Sequence, residues 1–174
     1  MNIGLKFTLL IFAMQLLMVT NAFSQKKRKA DKDTEQWRYE IEAVATGVQG
    51  TYLIKVWSYS KDPNVAIEQA KKNALHGIVF RGFVGTEGVS GKKALVASPT
   101  AYDEHKTFFD SFFGKGGDYM KFVTITNDGA VAPEDRLKIG RKEYKIGVIV
   151  SVNVSELRKH LEKAGIIKGL SDGF

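Results

Sequence analysis

Residues 37–45 alternate. Trp37, Tyr39, Ile41, Ala43 and Ala45 fall on one side and Arg38, Glu40 and Glu42 on the other, the period of two of a strand with one face in a core. Gly47-Val48-Gln49-Gly50 supplies a turn, and Thr51 to Ser60, rich in aromatic and β-branched residues, predicts a second strand that closes a hairpin with the first. From Pro63 to Phe80 the period changes. Ala66, Ile67, Ala70, Ala74, Gly77 and Ile78 share one arc at about 100° per residue, which predicts a helix capped by Asp62 with Pro63 in its first turn. Small residues on that arc predict a face laid close on a sheet, whereas Leu75 and Val79 project elsewhere and need a second cover.

Beyond Phe80, glycines at 82, 85, 88 and 91 with Lys92 and Lys93 predict a mobile surface loop over 82–97. Ser98 as cap and Pro99 in the first turn then open a second helix. On it Ala101, Tyr102, His105, Phe108, Phe109, Phe112 and Phe113 share one face, opposite Asp103, Thr107, Asp110 and Ser111. That aromatic face has two readings: it covers Leu75 and Val79, or part of it lines a groove for a hydrophobic ligand or partner. Tyr119 to Thr126 predicts a third strand, followed by a charged link that runs to Gly140. Lys142 to Val154 is the clearest strand, with Tyr144, Ile146, Val148, Val150, Val152 and Val154 pointing one way. Ser155 is read as the cap of a last helix whose buried stripe is Leu157, Leu161 and Ala164, ended by Gly165. The order strand, strand, helix, helix, strand, strand, helix predicts an α+β fold: a four-stranded, largely antiparallel sheet with helices packed on one face.

Charge and composition alter this picture mainly at the amino terminus. Lys6, the apolar run Phe7 to Val19 and the small-x-small triplet Ala22-Phe23-Ser24 have the form of an export signal over 1–24, cut before Gln25. The run is shorter than the roughly 20 residues of a membrane span. Lys26, Lys27, Arg28 and Lys29 follow it directly, and positive charge there opposes export, so an uncleaved inner-membrane anchor is the alternative. The net charge of +7 is concentrated here, since Lys6 and these four cations leave only +2 for the rest of the chain. Residues 25–35 are expected to form a disordered basic leader able to touch a membrane through 26–29, with a single domain over 36–174. No nucleic-acid recognition motif is present. The chain has no cysteine, which excludes disulfides, thiolate metal sites and a lipid-bearing cysteine.

Candidate chemistry is sparse. GTEGVSGKK is similar to a phosphate-binding loop, but Gly85 and Gly91 stand one residue too far apart, Lys93 occupies the hydroxyl position, and the segment follows a helix. His76, His105 and His160 stand singly in three different helices and are read as boundary residues, without a second ligand at helical spacing. The acids of Asp31-Lys32-Asp33-Thr34-Glu35 lack the glycine and distal glutamate of a calcium loop. No catalytic residue, cofactor or metal is therefore assigned. Recognition is expected on the glycine loop and an exposed edge of the aromatic helix, with Phe83, Lys92, Lys93, Tyr102, Phe109 and Phe113 as the partner-facing residues.

The segment from Ala45-Thr46-Gly47 through the hairpin to Ala66-x3-Ala70-x3-Ala74 resembles an envelope module found in the amino-terminal domain of the flagellar ring protein FlgT and in small surface lipoproteins. The likeness covers Trp37 to Phe80 and the later hairpin; the Phe-rich helix is additional to the pattern. The Ser-Gln junction resembles signal peptides of Bacteroidota, which implies a Gram-negative envelope. Together these imply a periplasmic or secreted, non-catalytic binding or assembly module whose partner is another envelope protein or a hydrophobic ligand. A small periplasmic enzyme whose site assembles only in three dimensions is the alternative.

Overall fold

The computed structural model describes residues 37–48 and 50–169. The export signal, the whole of the basic leader and the tail from residue 170 lie outside the described residues. Strand β1 (Tyr39–Thr46) pairs antiparallel with β2 (Thr51–Ser60), placing Tyr39 opposite Ser58, Ile41 opposite Val56 and Ala43 opposite Ile54. A bulge between Ala43 and Ala45 turns the end of β1, and Gly50, at φ +85°, takes the left-handed conformation that lets the hairpin close. The long strand β5 (Glu143–Asn153) pairs along the whole other side of β2. Its far side carries two short strands end to end, β3 (Val123–Ile125) at its C-terminal half and β4 (Arg136–Gly140) at its N-terminal half.

The fold is α+β, with an antiparallel sheet in the order β1-β2-β5-β3 and β4 added beside β5. Two details differ from the pattern-based expectation. The third strand contracts to three residues, because 118–121 wind into a 3₁₀ turn that buries Tyr119. The charged link before Gly140 supplies β4, a fifth strand whose five residues are all exposed. With no buried side, β4 lacks the hydrophobic alternation of a half-buried strand, and only its pairing with β5 makes it one.

Helix α1 (Pro63–Phe80) lies across β2 and β5 as its small face requires. Asp62 accepts a hydrogen bond from the Asn64 amide at 2.9 Å, and Ala66, Ala70 and Ala74 are fully buried. At Gly77 a Cβ would stand 2.1 Å from Ile41 Cδ1, so any larger residue there would push the Ile41 side chain aside. Asn73 Nδ2 donates to Ser58 Oγ at 2.9 Å, tying helix to sheet by a buried polar contact. Leu75 and Val79 do receive a second cover. The aromatic helix expected there breaks at His105 (φ −116°, ψ 33°) into α2 (Ala101–Glu104) and α3 (Lys106–Phe112), and its Phe109 and Phe113 meet Phe80 and His76 of α1. Asp, His, Thr and aromatic residues hold a helix weakly, so packing decides its course. After the break Tyr102 stacks on Phe109, while Phe112 and Phe113 reach Phe122 and Trp37.

The last helix, α4 (Val154–Lys163), starts two residues earlier than its sequence predicts: Asn153, not Ser155, is its cap, accepting from the Glu156 amide at 3.1 Å. Gly165 at φ +71° ends it, with the Ile166 amide donating back to the Leu161 carbonyl. One hydrophobic cluster joins Ile54, Val56, Ile146, Val148, Val150 and Val152 of the sheet to all four helices. The other sheet face carries Lys55, Trp57, Tyr59 and Lys145. Among the described residues no helix is long and apolar enough to cross a membrane.

Candidate ligand-binding cleft

The glycine segment after α1 is a folded hairpin. Gly82, at φ +70°, ends the helix, and Phe83 and Lys92 then exchange two backbone hydrogen bonds of 2.9 Å each. Thr86 and Val89 exchange two more at 3.0 Å. Gly85 and Gly91 face one another so closely that a Cβ on Gly85 would meet the Val89 carbonyl at 2.4 Å. These glycines serve backbone-to-backbone packing, which accounts for a spacing that does not match a phosphate loop. The hairpin is fastened to β1 by a Thr86 Oγ1 to Ala43 carbonyl bond of 3.0 Å and by a parallel bridge between Glu42 and Val84. It thus covers the free edge of the sheet on that side.

Between this hairpin and the β1–β2 turn lies a cleft of about 240 Å³, walled by Ala43, Ala45, Val48, Leu53 and Val89. Tyr52 and Phe83 form its aromatic side, edge to face at 5.5 Å between ring centroids. Lys92 lines it as well, with Nζ 5.9 Å from the Tyr52 ring centre. Val48 at the cleft and Val84 in the hairpin are 81% and 82% exposed, apolar surface with no cover among the described residues. The arrangement is concave, mostly apolar and carries one cation, the chemistry of a small binding site; its volume lies just under the roughly 300 Å³ at which sites for drug-sized ligands begin.

Of the six residues expected to face a partner, Phe83 and Lys92 are brought together here. Lys93 is exposed but does not line the cleft. Tyr102 is half-buried, its hydroxyl donating to Asp110 Oδ1 at 3.1 Å; burial and then that carboxylate push its phenol up to about 12. Phe109 and Phe113 are corrected outright, because both are buried against Phe80 and cannot face a partner. The aromatic face is core, consumed by covering α1. Tyr52 and Val48, which complete the cleft, carried no signal of their own in the sequence: one is an ordinary strand aromatic and the other an ordinary turn residue.

Two further constellations define what the remaining titratable groups do. His76, read as a boundary residue, is in fact buried. Its ring stacks under Trp37 at 3.6 Å, and its Nδ1 lies 2.6 Å from the Tyr39 hydroxyl. Burial raises the Tyr39 phenol and lowers the His76 imidazole, so a neutral hydroxyl meets a neutral ring across this contact, its direction set by the tautomer. Burial, then the Arg81 cation, pull His76 down to about 3. Arg81 itself lies over the Tyr39 ring at 4.5 Å and bonds the Trp37 carbonyl at 3.1 Å. This is a structural lock on the start of β1.

His160, Asp118 and Ser111 line an open depression of about 380 Å³ beside Phe108 and Phe112. His160 Nε2 and Asp118 Oδ2 are 3.9 Å apart, beyond hydrogen bonding, while Asp118 is held by Lys121 at 2.8 Å. An acid that orients its lysine rather than its histidine does not assemble a base for Ser111. On the sheet's open face, Lys145 meets Glu40 at 2.7 Å, Arg38 meets Glu143 at 2.5 Å, and Lys55 meets the buried Asp135 at 2.7 Å. Among the described residues no cluster of three or more His, Cys, Asp or Glu side chains could hold a metal ion. Compared with family models, curated proteins and solved structures, the chain matches none.

Proposed function

We propose that the protein is an exported, non-catalytic binding or assembly module of a bacterial cell envelope, and that the cleft between the glycine hairpin and the β1–β2 turn is its ligand-facing surface. The observation that carries this reading is the cleft itself, where Phe83, Tyr52 and Lys92 combine an apolar aromatic wall with one cation beside the exposed Val48. The occupant suited to it is a compact apolar group bearing a negative charge, whether a small carboxylated ligand or a side-chain pair on another envelope protein. Export is supported by the amino-terminal pattern ending at Ala22-Phe23-Ser24. The resemblance of Trp37 to Phe80 to envelope modules favours the same compartment.

The reading is tested by placing a photo-reactive residue at position 83 or 48, and for comparison at the exposed Lys61, and cross-linking in intact cells with fractionation of the products. Periplasmic recovery of a chain beginning at Gln25, with one discrete adduct from positions 83 and 48 that is absent from 61 and lost in Lys92→Glu, is the expected outcome. Adducts of equal yield at all three positions overturn the cleft. Retention of Met1 to Ser24 in the inner membrane overturns the exported form. Turnover of an envelope substrate by the purified protein, abolished by His160→Ala, overturns the non-catalytic reading.

A further inference from the structure

The sheet has two edges and treats them differently. The β1 edge is covered by the glycine hairpin through the Glu42–Val84 bridge and the Thr86 to Ala43 bond. The β4 edge is covered by nothing among the described residues. All five residues of β4 are exposed, and they pair with β5 alone, from Arg136 opposite Ile146 to Gly140 opposite Glu143. Leu137 and Ile139 stand 41% and 45% exposed, apolar side chains on a strand that offers unpaired main-chain groups along its outer side. Arg136, Lys138, Arg141 and Lys142 surround them, and none has a salt-bridge partner among the described residues, whereas the neighbouring acids Asp135 and Glu143 are already engaged by Lys55 and Arg38.

From this we infer that the β4 edge is a strand-addition site for an extended segment of a partner protein in which acidic residues alternate with apolar ones. Main-chain hydrogen bonds supply the affinity of such additions and alternate side chains the selectivity. The partner's apolar residues cover Leu137 and Ile139, and its acids meet the four free cations. The same cations exclude a second copy of this chain, because antiparallel pairing of two β4 edges sets like charges side by side. The bulge between Lys138 and Gly140 confines regular pairing to Arg136, Leu137 and Lys138, so the added segment is short. The site stands at the opposite edge of the sheet from the cleft, so it does not depend on the function proposed for the cleft.

The probe is a fluorescent peptide with a core of alternating glutamate and valine, titrated into the mature protein and followed by anisotropy. A second version carries N-methyl groups on every other residue, which leaves the charge intact and removes main-chain donors. Binding of the first peptide is expected to weaken by about tenfold or more in Arg136→Glu/Lys138→Glu and to be unchanged in Lys92→Glu. N-methylation is expected to abolish it, and amide exchange in 136–140 is expected to slow on binding. Absence of binding overturns the inference, as does equal binding of the N-methylated peptide, which marks charge attraction alone. Amides of β4 that exchange as slowly as those of β5 in the free protein overturn it too, since the edge is then occupied by the chain's own remaining residues. Circular dichroism of the charge-reversed variant controls for folding, which these exposed positions leave unaffected.

Discussion

Protonating His76 is expected to cost the fold its stability in a defined pH window. The imidazole lies buried beneath Trp37, 2.6 Å from the Tyr39 hydroxyl, and protonating it would place a cation out of water beside the Arg81 cation. In the folded chain the group titrates at about 3, whereas in an unfolded chain it titrates near the ordinary 6.5. A base whose folded pKa is depressed contributes fully above the unfolded value, and that contribution is lost as pH falls from 6.5 toward 3, because only the unfolded chain then takes up the proton. At 1.36 kcal/mol per unit, the loss between pH 7 and pH 5 comes to about 2 kcal/mol. Many carboxylates also titrate as pH falls, so the measurement is a comparison. Urea midpoints at pH 7 and pH 5 are determined for the wild type and for His76→Gln, which keeps an acceptor for Tyr39 but cannot be protonated. The wild-type midpoint should fall by roughly 1 M more than that of the variant, for a slope of about 2 kcal/mol per molar. Parallel losses in the two proteins would refute the reasoning, as would an NMR titration of the His76 ring with its midpoint near 6.5.

Other outcomes follow from packing and capping. Ala70→Leu and Ala74→Leu add bulk to a face in full contact with the sheet and should each cost about 1–3 kcal/mol, read as a lower denaturant midpoint, while Glu68→Leu on the exposed side should not. Equal effects at all three would mean that α1 presents another face. Asn153→Ala removes the cap of α4 and should cost about 1 kcal/mol in thermal or urea unfolding, whereas Ser155→Ala should be near neutral; the reverse order would restore the serine as the cap.

Four elements were legible from residue order because a local signal determines each. Asp62-Pro63 and the small arc of Ala66, Ala70 and Ala74 specify both the start of α1 and the face it presents, since capping and close approach depend on the side chains of that segment alone. The alternation through Val148, Val150 and Val152 places β5, and the hydrophobic hairpin places β1 and β2, because a period of two admits only one buried side. Tertiary structure decided the rest. Phe109 and Phe113 have the same chemistry whether they line a groove or close a core, and only the position of Phe80 and His76 against them assigns them to the core. The glycines of 82–91 are compatible with an open loop, and it is the approach of Gly85 to Gly91 and the bond from Thr86 to Ala43 that make them a hairpin and so create the cleft beside Tyr52. β4 has no hydrophobic period because neither of its faces is buried; it exists through hydrogen bonds to β5, which leave no mark on the side-chain pattern. Residue order specifies which surface each segment must bury. Where two segments compete for the same cover, or none is needed, only their meeting in three dimensions decides.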